Sequence, residues 1–84
     1  MKKNNIFQFI KTRLKKLRII NKENNKVIKK INIFEDERID SLQLVNILAE
    51  IEKKYYEKIN YNYFNLKKNQ TIDKICEIIS KKIK

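Results

Sequence analysis

Apolar residues recur at helical spacing along three stretches of this chain. In the first, from about Asn5 to Ile20, Ile6, Phe7, Phe9, Ile10, Leu14, Leu17 and Ile20 fall within an arc of about 160° when plotted at about 100° per residue, which predicts a helix packed on a core. Ile19 falls outside that arc and Arg13 inside it, while Lys11, Lys15, Lys16 and Arg18 line the other side. The second predicted helix begins at Asp40 or Ser41, where Asp40 and Gln43 are spaced for a capping box, and runs to about Tyr56. Leu42, Leu44, Val45, Ile47, Leu48, Ala49, Ile51, Tyr55 and Tyr56 occupy most of its circumference, leaving a narrow polar arc of Gln43, Asn46, Glu50, Lys53, Lys54 and Glu57. A helix this apolar either sits centrally in the core or keeps apolar groups for a partner. The last helix runs from a Thr71 cap, with Asp73 in its first turn, to about Ile83, and Ile72, Ile75, Cys76, Ile79 and Ile83 define its buried face.

The intervening segments carry turn chemistry. Residues 21–39 form a long connection with Asn21, Asn24, Asn25 and Asn32 as turn formers. A connection of that length needs apolar anchors, so Val27 or Ile28, and Ile33 or Phe34, are expected to point inward, with a short helical turn over residues 26–31. Residues 60–65 place Tyr61, Tyr63 and Phe64 between asparagines and predict a short helix or turn that caps the core with aromatic rings. No strand pattern, repeat or linker is evident. The expected fold is all-α: a small four-helix bundle, three main helices plus one short helix, with a long loop between helices 1 and 2, in a single domain over residues 1–84.

Composition narrows the chemistry. At 84 residues the core is thin. The single cysteine, Cys76, rules out an intramolecular disulfide, and the lack of histidine rules out the usual zinc sets and every Ser-His or Cys-His nucleophile arrangement. Cys76 lies on the apolar face and reads as a core residue. Glu50, Glu52, Glu57 and Asp73 show no catalytic spacing, so a non-catalytic protein is expected. The apolar run Ile6 to Ile10 is interrupted by Gln8 and is too short for a secretory or membrane-spanning segment. The expectation is a soluble, cytoplasmic monomer.

The formal charge of +11 raises nucleic acid or an anionic membrane surface as a partner. Lys, Ile and Asn make up 45 of the 84 residues and Gly and Pro are absent, a bias expected of AT-rich coding, so a solvated basic face is the preferred reading of the first helix and nucleic acid is not the expected partner. The charge is uneven. Residues 1–34 hold eleven basic and one acidic side chain and residues 58–84 seven and two, but residues 35–57 hold three and seven. That acidic island surrounds Ser41.

The segment Ile33-Phe34-Glu35-Asp36-Glu37-Arg38-Ile39-Asp40-Ser41-Leu42-Gln43-Leu44-Val45, continued by Ile47-Leu48-Ala49-Glu50-Ile51-Glu52-Lys53-Lys54-Tyr55, resembles the acyl and D-alanyl carrier protein family. Ile59 after that pattern and the Thr71-Ile72 start of the last helix extend the resemblance over most of the chain. It implies that Ser41 is esterified to 4′-phosphopantetheine taken from coenzyme A by a separate phosphopantetheinyl transferase. The arm would then carry acyl or aminoacyl cargo as a thioester between acyl- or aminoacyl-activating and transferring enzymes, in fatty acid biosynthesis or a dedicated pathway. Asp40, Leu42, Val45 and Glu52 would face those partners. A phosphodiester at a helix N-terminus meets unpaired N–H groups and the positive end of the helix dipole, so the position suits the charge.

Three departures from the family pattern are plain. Glu37, Arg38 and Ile39 stand where a glycine is usual in the turn before Asp-Ser; Gln43, Asn46 and Lys53 dilute the usual acidic helix; and the chain as a whole is basic. The alternative reading is a small basic helical module that binds nucleic acid or anionic membrane surfaces.

Overall fold

The computed structural model describes residues 2–82. Its elements, in chain order, are α1 (Lys2–Lys16), α2 (Asn25–Lys29), α3 (Ser41–Tyr55), two 3₁₀ turns (Tyr61–Asn65 and Lys67–Asn69) and α4 (Ile72–Lys82). The described residues are mostly helical and include no strand, as the hydrophobic spacing predicts. Ile83, expected on the buried face of the last helix, lies outside the described residues.

Thirteen of the nineteen buried apolar side chains among the described residues are isoleucine, contributed by every helix and by the long connection. Branching at Cβ restricts isoleucine rotamers and makes it a mediocre helix former, so these helices rest on tertiary burial more than on intrinsic propensity. α1 lies chiefly against α4, with α3 against α1 and α2 against α4. Ile6, Phe7, Ile10 and Leu14 meet Ile72, Ile75, Cys76 and Ile79 in one cluster with Ile47, Leu48 and Ile51. Cross-helix polar ties ring this core: Lys3 pairs with Asp73 at 3.2 Å, Arg13 pairs with Glu50, and Lys11 Nζ donates to Asn25 Oδ1 at 2.7 Å. Part of the basic face of α1 is thus engaged within the fold.

α1 differs from its sequence expectation at both ends, starting at Lys2 and stopping at Lys16 instead of Ile20. The stop is a Schellman motif. Arg18 takes the left-handed conformation at φ 60°, its N–H donates to the Lys15 carbonyl at 3.0 Å, and the Ile19 N–H donates to the Leu14 carbonyl at 2.9 Å. The reversal buries Ile19 and Ile20 and leaves Leu17 42 % exposed, so Leu17 and Ile19 exchange the places that an unbroken helix assigns them.

The long connection is anchored as expected. Ile28 is fully buried while Val27 is 49 % exposed, and Ile33 is buried while Phe34 is half out against the ring of Phe64, with centroids 5.6 Å apart. The helical turn within it is α2, capped by Asn24, whose side chain accepts the Val27 N–H at 3.0 Å. Beyond α2 the chain joins the start of α4 by an isolated antiparallel bridge between Asn32 and Thr71, with Ile33 N–H to Gln70 O at 3.1 Å and Ile72 N–H to Ile31 O at 2.9 Å. The aromatic segment at 60–65 is a 3₁₀ turn that buries Phe64 alone, so the short α-helix of this bundle is α2.

Candidate functional site

Ser41 is the first residue of α3, and its presentation depends on the residues before it. Asn32 opens the turn: its Oδ1 accepts the N–H groups of Phe34 and Glu35 at 2.9 and 3.1 Å, and its carbonyl accepts those of Glu35 and Asp36. Asp36 then accepts from Arg38 three times, from the backbone N–H and Nε at 2.9 Å and from Nη2 at 2.7 Å. Ile39 N–H closes the turn on the Asp36 carbonyl at 3.0 Å and its side chain is buried. Among the described residues only Arg18 and Tyr56 have positive φ, so this turn reaches Ser41 through ordinary backbone conformations and requires no glycine.

Asp40 caps the helix as its spacing predicts. Asp40 Oδ1 accepts the Gln43 N–H at 2.7 Å and Gln43 Oε1 accepts the Asp40 N–H at 3.1 Å, a complete capping box. Ser41 is exposed, and no hydrogen-bond partner holds its hydroxyl among the described residues. The other serine, Ser80, is half-buried and donates its hydroxyl to the Glu77 carbonyl at 2.8 Å inside α4. The accessible serine is therefore Ser41. With no histidine in the chain, its hydroxyl has no neutral imidazole base to activate it.

Leu42 and Val45 are 69 % and 53 % exposed, large values for apolar residues on a helix whose opposite side is core. With Ser41 and Glu52 they fall within about 100° of arc, forming one stripe that runs about 16 Å down the helix. Glu52 also serves the fold itself, since its Oε2 accepts the Ile59 N–H at 2.8 Å and so ties the chain leaving α3 back to the helix. Burial, with the Glu52 charge close by, pushes the Tyr61 hydroxyl above its ordinary range.

Three of the seven acids in the acidic island, and Glu23 ahead of it, form ion pairs within the fold. Asp36 and Glu23 pair with Arg38 at 2.7 and 3.4 Å, Glu35 with Lys67 at 3.1 Å, and Glu50 with Arg13. Hydrogen bonds from Arg38 hold the Asp36 carboxyl below the usual carboxylate range; the Asn21 N–H, and after it Arg38, do the same for Glu23. Arg38 is the residue that sequence reasoning passed over. The available signal was that an arginine, one of three beside eighteen lysines, sits alone among four acids just before Ser41.

Cys76 is buried, and loss of solvent pushes its thiol up to about 12, which leaves it protonated and unreactive. Between the end of α3, the segment that follows it and α4, Ile51, Tyr55, Ile59, Tyr63, Ile78 and Ile79 line a cleft with a cavity volume of about 10 Å³, the room of a single water. No helix of the described residues is long and apolar enough to cross a membrane. No family model, curated protein or solved structure matches this chain.

Proposed function

We propose that this protein is a phosphopantetheine-dependent carrier in which Ser41 bears the 4′-phosphopantetheine arm and the arm's thiol holds an acyl or aminoacyl group as a thioester. The observation that carries the reading is the setting of Ser41: an exposed, unpartnered hydroxyl at the first position of a capped helix, beside the exposed apolar residues Leu42 and Val45. The order of helix, long anchored connection, capped central helix and final helix agrees with the small bundle that the resemblance implies. A phosphodiester on Ser41 lies at the positive end of α3, where backbone N–H groups favour its charge.

The division of labour between carrier and partners is physical. The chain brings no activated nucleophile, and its own thiol is shut in the core, so reactivity resides in the arm and catalysis in the partners. Tethering cargo to Ser41 raises its effective concentration at any active site that docks on the Leu42–Val45 stripe. The cleft at the far end of α3, with room for one water, favours a short or aminoacyl cargo over a fatty chain stored there. The internal pairing of Glu23, Glu35, Asp36 and Glu50 lowers the acidic charge offered to Arg and Lys clusters of a partner, which gives apolar contact at Leu42 and Val45 a larger share in docking.

Incubation with coenzyme A, magnesium and a broad-specificity phosphopantetheinyl transferase tests the reading. One phosphopantetheine mass is expected on the wild-type protein and none on Ser41→Ala. No addition under conditions that modify a control carrier, together with salt-sensitive polyanion binding that survives Ser41→Ala, would support the basic-module reading instead.

A further inference from the structure

Arg38 joins three segments of the chain through one side chain. Its guanidinium holds the Asp36 carboxylate in a two-pronged contact, Nε to Oδ1 at 2.9 Å and Nη2 to Oδ2 at 2.7 Å. Its Nη1 donates to the Ile19 carbonyl at 3.1 Å, just past the end of α1, and to Glu23 Oε2 at 3.4 Å ahead of α2. Glu23 is itself fixed, its Oε1 accepting the Asn21 N–H at 2.7 Å. The turn over residues 36–39 thereby hangs on the reversal that ends α1. Two residues after Arg38 comes the Asp40 cap, and then Ser41.

The same turn has no other device of comparable reach. It contains no glycine and no positive φ, and its only buried side chain is Ile39. A planar guanidinium suits this position because its fixed fork matches a carboxylate and leaves a further nitrogen for a carbonyl; a lysine ammonium can make any one of these bonds but cannot span the set. In a chain that uses lysine at eighteen positions, arginine at this one has a geometric reason.

We infer that Arg38 is a positioning residue for the modification of Ser41: it holds the turn and the helix start in the shape that a transferase engages, without touching the reacting atoms. The inference rests on the carrier reading. A turn that must first be ordered reduces the fraction of carrier ready to bind, which raises the apparent KM for the carrier and leaves kcat, measured once the complex has formed, nearly unchanged. A residue that only adds global stability moves neither constant while the protein stays folded.

The test is the steady-state rate of phosphopantetheine transfer from coenzyme A to wild type, Arg38→Ala and Arg38→Lys, with thermal unfolding and amide exchange measured on the same samples. Arg38→Ala is expected to raise the carrier KM about tenfold with kcat within about twofold, and Arg38→Lys to recover only part of the loss. Amides of residues 39–43 should exchange faster in Arg38→Ala while those of Ile75 and Cys76 stay protected. Glu23→Gln, which acts on the turn through Arg38, carries the same KM test should Arg38→Ala fail to fold. Wild-type KM in a folded Arg38→Ala, or in Glu23→Gln if that variant must stand in, overturns the positioning role and leaves the carrier reading intact. A wild-type protein that accepts no arm beside a modified control carrier overturns both.

Discussion

Asp40 and Gln43 satisfy each other across the first turn of α3: the carboxylate accepts the Gln43 N–H at 2.7 Å and the Gln43 amide oxygen accepts the Asp40 N–H at 3.1 Å. Two donors that a helix start leaves unpaired are thus satisfied by side chains three residues apart. Removal of the carboxylate in Asp40→Ala is expected to lower stability by about 1 kcal/mol, with a smaller effect for Gln43→Ala. Urea unfolding monitored by circular dichroism measures both, and an Asp40→Ala midpoint equal to wild type would remove the box from the account of how Ser41 is presented.

α1 and α3 both end on a residue in the left-handed region, Arg18 at φ 60° and Tyr56 at φ 55°. A Cβ in that region is unfavourable by about 1 kcal/mol, and neither side chain is buried, Tyr56 being 94 % exposed. Arg18→Gly and Tyr56→Gly are therefore expected to stabilise the protein, each by about 0.5–1 kcal/mol. Thermal unfolding checks this; a lower melting temperature in both would mean that the side chains hold contacts that outweigh the backbone gain.

The ends of α1 and α3 also show what local pattern carries and what it does not. The start and length of α3 were legible because a capping box and a dense apolar run are written within a few residues of each other, and the inward choice of Ile28 and Ile33 fell within the pairs that burial demanded. The end of α1 was not legible, since the usual marker of a left-handed stop is glycine and this chain has none. At the candidate site, spacing alone gave the Asp40 cap and put Ser41 at the helix start, whereas the roles of Ser41, Leu42 and Val45 came from the resemblance. The Arg38 tie came from neither, because its partners Ile19 and Glu23 lie nineteen and fifteen residues away and meet it only when α1 reverses.

Acid should loosen that tie before it unfolds the core. The Asp36 carboxyl is held below its ordinary value of 3.8, so its contribution to stability is present above that value and is lost as pH falls through the lower folded value. Glu23 acts in the same direction. Protection of the amides of residues 36–41, taken against their intrinsic exchange rates, should therefore fall below about pH 4 while α4 stays protected, and Arg38→Gln should show the lost protection already at neutral pH. Protection in this turn that ignores both pH and the substitution would contradict the described geometry.

Cys76 should be silent in the native protein. Its thiol is buried and pushed up to about 12, so disulfide reagents at pH 8 are expected to label it only as fast as the protein unfolds, and at once in denaturant. Because the folded state favours the neutral thiol, that contribution to stability is present below the ordinary value of 9.0 and is lost as pH rises from there toward about 12. Rapid native labelling would show that the face of α4 opens and would put a reactive thiol on the protein itself, beside that of the proposed arm.

The central claim is that Ser41 is the attachment point of the arm. Treatment with transferase and coenzyme A, followed by proteolysis and tandem mass spectrometry, reads this residue by residue. The account predicts one phosphopantetheine, on the peptide containing Ser41, with the Ser80 peptide unmodified and the Ser41→Ala protein unchanged in mass. An unmodified wild-type protein beside a fully modified control carrier, or an arm found on Ser80, would contradict it.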